Sequence, residues 1–336
     1  MTLALALAFL AAAPQAEKRV QELLPRLQSE KAQDRERAMR EIRDIARKDR
    51  DACRKALPEI VRLLKDPETR VRRAAVEAAG YAGARDALPE IRLLLKHEEE
   101  DLREEAAEAL GRLRDRDSLE DLAALLKDRE SDVRSKAVEA LGEIGAKDAT
   151  PRILELLKDP ESDVRKNAAE ALGRLGAREA IPALVELLRD KVTDVRNDAL
   201  EALEELASRE DAPHFLPLLK DPDPGVRRRG VKLLERADAK SAYPEILGLF
   251  ADEDRDVRRA AFEAIVAARI PESVPKVVEL LRHDKREARW VAAEALGYLR
   301  AAEAIGPLED FLKEEKDARL REAAKKALDR IRKAPD

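Results

Sequence analysis

The chain has 336 residues, of which 41% are charged and 3% aromatic, with a formal net charge of −5. A profile dominated by Ala, Leu, Glu, Lys and Arg belongs to long or repeated helices, and the regular apolar content excludes a disordered chain. The acidic balance lacks the basic footprint needed to track a phosphate backbone, which argues against nucleic acid as a partner.

The first sixteen residues, MTLALALAFLAAAPQA, carry no charge, and charge is dense from Glu17 onward. The apolar run from Leu3 to Ala13 is too short for a mature transmembrane helix and matches the h-region of a signal peptide. Residues 1–16 are therefore read as a signal peptide and the mature chain as exported, periplasmic or extracellular, with no membrane insertion. A chain that kept the segment would be cytoplasmic. No Lys or Arg precedes the run, and Pro14 sits where a small residue is preferred before cleavage after Ala16. Cys53 is the single cysteine, so no disulfide forms within the chain; on a helix it reads as a small buried hydrophobe.

From Glu17 the chain repeats, and the period sets the architecture. Val-Arg or a close variant begins at Val71, Leu102, Val133, Val164, Val195, Val226, Val257 and Ala288, a 31-residue step. Arg72, Arg103, Arg134, Arg165, Arg196, Arg227, Arg258 and Arg289 thus form one series in register. Leu320-Arg321 continues it one residue late, and an earlier unit spans Arg35 to Ile45. We divide residues 17–336 into ten hairpins, near 17–52, 53–83, 84–114, 115–145, 146–176, 177–207, 208–238, 239–269, 270–300 and 301–336.

Counting Val164 as position zero, Ala168, Ala169, Ala171, Leu172 and Leu175 fall on one side of a helix, and Ile181, Leu184, Val185 and Leu188 do the same on its hairpin partner. Gly173 and Gly176 close one helix; Asp-Pro, as at Asp66-Pro67, Asp159-Pro160 and Asp221-Pro222, reads as an N-cap and first-turn residue of the next. A hairpin this short cannot bury both apolar faces alone. Neighbours must stack, giving an all-α fold, an α-α superhelix or alpha solenoid.

The run SDVRKNAAEALGRLGA from Ser162 to Ala177 closely resembles the bilin-lyase-type (PBS lyase) HEAT-like repeat, and the match extends over nearly all of residues 17–336. The resemblance implies that the Asp and Arg of the D-V-R motif form a structural ladder between repeats, here Asp132, Asp163, Asp194 and Asp256 with the arginines above. It specifies a fold far better than a function, because the family includes scaffolds, adaptors, chromophore lyases and a few metal enzymes. His97-Glu98 is similar to the His-Glu pairs with which HEAT-repeat deoxyhypusine hydroxylases hold iron, but those enzymes use several pairs and this chain has one. The other histidines, His214 and His283, lie in separate repeats, and a metal site needs convergent ligands. No metalloprotease, paired-cysteine, nucleophile-elbow or phosphate-loop motif occurs. The sequence therefore predicts no catalytic residue, metal or cofactor. It predicts a non-enzymatic scaffold or adaptor that binds a protein or peptide along the concave second-helix face. The alternative, a lyase-like or cofactor-handling protein, requires a deep pocket lined by converging polar residues.

Three features mark where a partner would sit. Position six of the second helix is Glu77, Glu108, Glu139, Glu170, Glu201, Lys232, Glu263 and Glu294, an acidic ridge that is either a solvated face or a groove for a basic segment. Position nine is Gly at 80, 111, 142, 173 and 297 but becomes Glu204, Glu235 and Val266, and the same region carries a basic island of Arg228, Arg229 and Lys232, read as a docking spot for an acidic group. Trp290, the only tryptophan, takes position two where other repeats place polar residues, and Tyr298 follows two turns on; both are read as contact residues.

Overall fold

A computed structural model of the protein describes residues 15–333, so residues 1–14 of the expected signal peptide lie outside the described residues. Ten long helices recur among the described residues: α1 (Ala32–Ala46), α2 (Thr69–Ala82), α3 (Glu100–Leu113), α4 (Ser131–Ile144), α5 (Ser162–Leu175), α6 (Thr193–Leu206), α7 (Pro224–Arg236), α8 (Arg255–Ala268), α9 (Arg286–Leu299) and α10 (Ala318–Arg332). Shorter helices such as Leu57–Leu63, Leu88–Leu94 and Val274–Glu279 precede them, most with Pro in the first turn, where a missing N–H costs nothing. No strand occurs among the described residues. The chain forms two compact units, one up to Ala180 with α1 to α5 and one from Ile181 with α6 to α10. Each is an α-solenoid segment in which every long helix packs on the next.

In the first unit the spacing between long helices is set by glycine. A Cβ on Gly80, Gly111 or Gly142 would lie 3.1, 2.8 or 3.2 Å from the Cα of Ala109, Ala140 or Ala171. Position nine of one helix thus meets position seven of the next, and two small residues let the backbones approach. Gly297 of α9 repeats the contact in the second unit, 2.7 Å from the Cα of Ala327 in α10. Earlier in that unit the small pair is lost. Glu204 and Leu233 replace it between α6 and α7, Glu235 faces α8, and Val266 faces α9. The α6–α7 and α8–α9 pairs touch over far less of their length than the glycine-bearing pairs. At Glu204 and Val266 the departure from the repeat is therefore a packing change, because a side chain at position nine wedges two helices apart; α7 and α8 keep more of their contact despite Glu235.

The arginine ladder exists, but with a different acid. Arg103, Arg134 and Arg227 each present two N–H groups to a carboxylate 25 residues on, Asp128, Asp159 and Asp252, at 2.7–2.9 Å. Arg35 forks in the same way onto Asp66, 31 residues on, and Arg289 reaches Glu315, 26 residues on, at 3.1 Å. Each of these arginines also donates to carbonyls five and six residues back, as Arg103 does to Glu98 and His97 at 2.8 Å, tying its own hairpin together. Asp132, Asp163, Asp194 and Asp256, the expected partners, are exposed on the first turn of their helices, where a carboxylate favours the helix dipole. The loop aspartates do not act as N-caps either. Asp66 and Asp159 accept the N–H two residues on, at 3.0 Å, while Glu68 and Glu161 take the cap position. At Asp66 and Asp159 the Asp of Asp-Pro is thus a turn-former and rung acceptor at once; Asp221 instead receives Arg189, while Arg196, an expected ladder arginine, donates within its own hairpin to the Asp190 carbonyl at 2.6 Å and Thr193 Oγ1 at 2.9 Å. Burial alone would raise the Asp128 carboxyl, but the Arg103 fork and the Glu130 N–H outweigh it and hold it below the ordinary aspartate range.

The same register explains the histidines. His97 and His283 stand where other hairpins place the rung aspartate, and the Nδ1 of each accepts the N–H two residues on, from Glu99 at 3.1 Å and Lys285 at 3.0 Å. Each is a turn-former, and no group of His, Cys, Asp or Glu able to hold a metal occurs among the described residues. Cys53 is buried, and burial pushes its thiol up to about 11, so it is a packing residue.

Candidate functional site

The long-helix face differs between the two units. In the first, the acidic ridge is not an open strip. Glu77 pairs with Arg43, Glu108 with Arg112 and with Lys136 at 3.1 Å, Glu139 with Lys136 at 3.1 Å, and Glu170 with Arg174 at 2.5 Å. A cavity of about 260 Å³ opens among these residues, lined by Arg43, Arg47, Glu77, Tyr81, Glu105 and Arg112 among others. Its charges are paired, Arg43 with Glu77, Arg112 with Glu108 and Glu105 with Arg73 at 3.2 Å, and the Arg112 guanidinium also lies 4.1 Å from the Tyr81 ring centre. Burial and the nearby Glu77 push the Glu105 carboxyl up to about 7, against the pull of Arg73.

In the second unit Glu201 is exposed, Glu263 pairs with Arg259 at 2.8 Å and Glu294 with Arg330 at 2.9 Å. The basic island is smaller than its sequence suggests. Lys232 pairs at 2.7 Å with Glu204, so the charge reversal at position six and the lost glycine at position nine are one compensating pair across α6 and α7. Arg228 lies 3.9 Å from Asp256, a loose, exposed contact. Arg229 is half-buried, and its pKa is depressed by burial and by the like charges of Arg196 and Arg228.

The aromatic residues form the better-defined site. A groove of about 440 Å³ lies between α8 and α9, with Phe262, Trp290, Val291 and Tyr298 as its apolar wall. Trp290 is 47% exposed and Tyr298 48%, although α9 buries the apolar residues around them. Tyr298 is held from two sides: Phe262 meets it edge-to-face with ring centres 5.6 Å apart, and the Arg330 guanidinium lies 4.1 Å from its ring centre. Arg330 also bonds Glu294, so the ridge carboxylate fixes the arginine that fixes the ring. Trp290 has no such partner among the described residues and offers its indole to the groove. The groove exists because Phe262 occupies a position that is Ala in α3, α5 and α9, and because Val266 replaces the close-packing glycine. Sequence reasoning missed Phe262 and the groove's arginines; the signal was Phe262 at position five beside Val266 at position nine on one helix.

A pair of compact all-α units built from stacked hairpins, with an exposed aromatic groove in the second, defines a helical-repeat protein. The HEAT-repeat profile matches residues 57–141, 119–204, 212–287 and 248–329, and the chain belongs to that family. Among solved structures, a crystal structure of an engineered protein is similar over 94% of this chain and 100% of its own, at 21% identity and a TM-score of 0.55, a likeness of fold alone. The complex of CpcE and CpcF of phycocyanin lyase from Nostoc sp. aligns over 73% of this chain and 94% of its own at 20% identity and a TM-score of 0.39, too low to carry an argument. No curated protein matches the chain.

Proposed function

We propose that the chain is a non-enzymatic scaffold or adaptor that docks a protein segment on the long-helix face of its second unit. The observation that carries this reading is the pair Trp290 and Tyr298, half-exposed on one groove in a chain with nine aromatic residues. Half-exposed large aromatics on a rigid helix are enriched at binding hot spots, since they bury much area with little loss of side-chain freedom. A lyase-like or cofactor-handling role would need free polar groups converging in a pocket; in the cavity at Tyr81 arginines and glutamates pair with each other, and in a larger cavity of about 780 Å³ in the second unit Arg289 is paired with Glu315 at 3.1 Å. Export follows from the apolar run at residues 3–13, and no described helix is long and apolar enough to cross a membrane. Affinity capture from the source cell tests the docking reading, with Trp290→Ala and Tyr298→Ala against a control, Glu170→Ala. We expect one set of partners lost in both aromatic variants and kept in the control; identical capture by all four proteins would remove the groove as the docking site.

A further inference from the structure

The groove is basic in a chain whose net charge is negative. Five arginines and three glutamates line it: Arg255, Arg258, Arg259, Arg286, Arg319, and Glu263, Glu287, Glu294. Internal pairs remove half of these: Arg259 with Glu263, Arg286 with Asp317 at 2.7 Å, and Glu294 with Arg330. Three guanidinium groups, those of Arg255, Arg258 and Arg319, remain without a salt bridge among the described residues, against a single carboxylate, Glu287.

Arg258 is the informative one. It is a ladder arginine, and in α3, α4 and α7 the equivalent fork is filled by a loop aspartate. The residue that would fill the Arg258 fork is His283, whose Nδ1 is occupied by the Lys285 N–H. Arg258 keeps the bonds to its own hairpin, to the carbonyls of Asp252 at 2.8 Å and Glu253 at 2.9 Å. The rest of its fork has no carboxylate. His97 breaks the rung above Arg72 in the same way, but there Thr69 Oγ1 accepts at 2.9 Å and Glu99 lies 4.0 Å away. The vacated rung beside Trp290 has no such substitute. A half-buried guanidinium fork with its carboxylate removed is suited to a bidentate carboxylate from elsewhere.

We infer that the groove between α8 and α9 takes an acidic segment of a partner protein, with one apolar side chain against Trp290 and flanking carboxylates received by Arg255, Arg258 and Arg319. This rests on the docking reading above and specifies the chemistry of what docks. The apolar wall supplies the anchor. The unpaired arginines select sign and steer the encounter.

Trp290 is the only tryptophan, so its emission reports occupancy directly. The probes are four nine-residue synthetic peptides: a central Leu flanked by Asp and Glu, the same peptide with Asn and Gln, with Lys, and an acidic one with Ser at the centre. The acidic Leu peptide is expected to shift Trp290 emission and bind at least about tenfold tighter than the amide peptide, with affinity falling as salt rises. His283→Asp returns to Arg258 the carboxylate that Arg227 has, and is expected to weaken the acidic peptide about tenfold while leaving the amide peptide unchanged; Arg258→Gln is expected to do the same. Equal binding of the acidic and amide peptides, preference for the Lys peptide, or full acidic affinity in both variants overturns the inference. Tight binding of the amide or Lys peptide would overturn the acidic partner yet leave a docking groove. Silence of Trp290 toward all four peptides overturns the inference too, while loss of capture in the aromatic variants would still uphold docking.

Discussion

The contact most open to quantitative attack is the glycine seam, with Gly111→Ala as the perturbation. In an unencumbered helix interior this change gains about 1 kcal/mol, because Ala loses less backbone entropy than Gly. Here the new Cβ would sit 2.8 Å from the Ala140 Cα and 3.0 Å from its Cβ, against a carbon–carbon optimum near 3.5–4.0 Å. The obstacle is backbone, so α3 and α4 must separate, and overpacking of this kind costs about 1–3 kcal/mol beyond the regained propensity. We expect a net loss of about 1–2 kcal/mol, a larger loss for Gly297→Ala at 2.7 Å, and near-neutrality for Gly142→Ala, whose Cβ meets Ala171 at 3.1–3.2 Å. Gly248→Ala is the control, with no atom within 4 Å, and should gain about 0.5–1 kcal/mol. Urea unfolding followed by circular dichroism ranks the four. If Gly111→Ala stabilises as much as Gly248→Ala, close approach is not what the glycines provide, and the loosening attributed to Glu204 and Val266 loses its physical basis.

Two further outcomes follow from the ladder and the polar cavity. Asp128→Ala removes a carboxylate whose side chain is 10% exposed and strands Arg103 at 8%, so it should cost about 3 kcal/mol, whereas Asp132→Ala on the exposed helix start should cost under about 0.5 kcal/mol by the same unfolding assay. Glu105, whose side chain is 13% exposed, has its folded pKa raised above the ordinary value of 4.5 to about 7. The folded state then binds the proton more tightly than the unfolded chain, so stability falls as pH rises from about 4.5 to 7 and the full penalty is present above 7. Glu105→Gln should remove about 2 kcal/mol of that fall, seen as a flatter stability profile between pH 5 and 8; an unchanged profile would show that Glu105 ionises freely.

The fold was legible because a 31-residue period with small residues at fixed positions leaves the chain one economical way to bury its apolar faces. Positions seven and nine carried the packing geometry into the sequence, so the change at Glu204, Glu235 and Val266 could be located in advance. Its meaning could not, since Glu204 and Lys232 lie 28 residues apart and meet to neutralise each other only once α6 and α7 pack. The ladder failed in a similar way: Asp132 and Asp163 adjoin their arginines in sequence, yet a helix start directs them to solvent, and the true acceptors lie in the next hairpin's loop. Trp290 and Tyr298 were visible as rare residues at a polar register position. Phe262 and the free fork of Arg258 were not, because each depends on what a neighbouring hairpin lacks.

The docking role is tested most directly at position 290. Replacing Trp290 by the photo-crosslinking residue p-benzoylphenylalanine and mapping adducts by mass spectrometry should yield one dominant segment of a partner protein, rich in Asp and Glu around an apolar residue and absent when the crosslinker sits at Glu170. Adducts confined to the chain's own Phe262 and Arg259, or the same set of adducts from both positions, would contradict it.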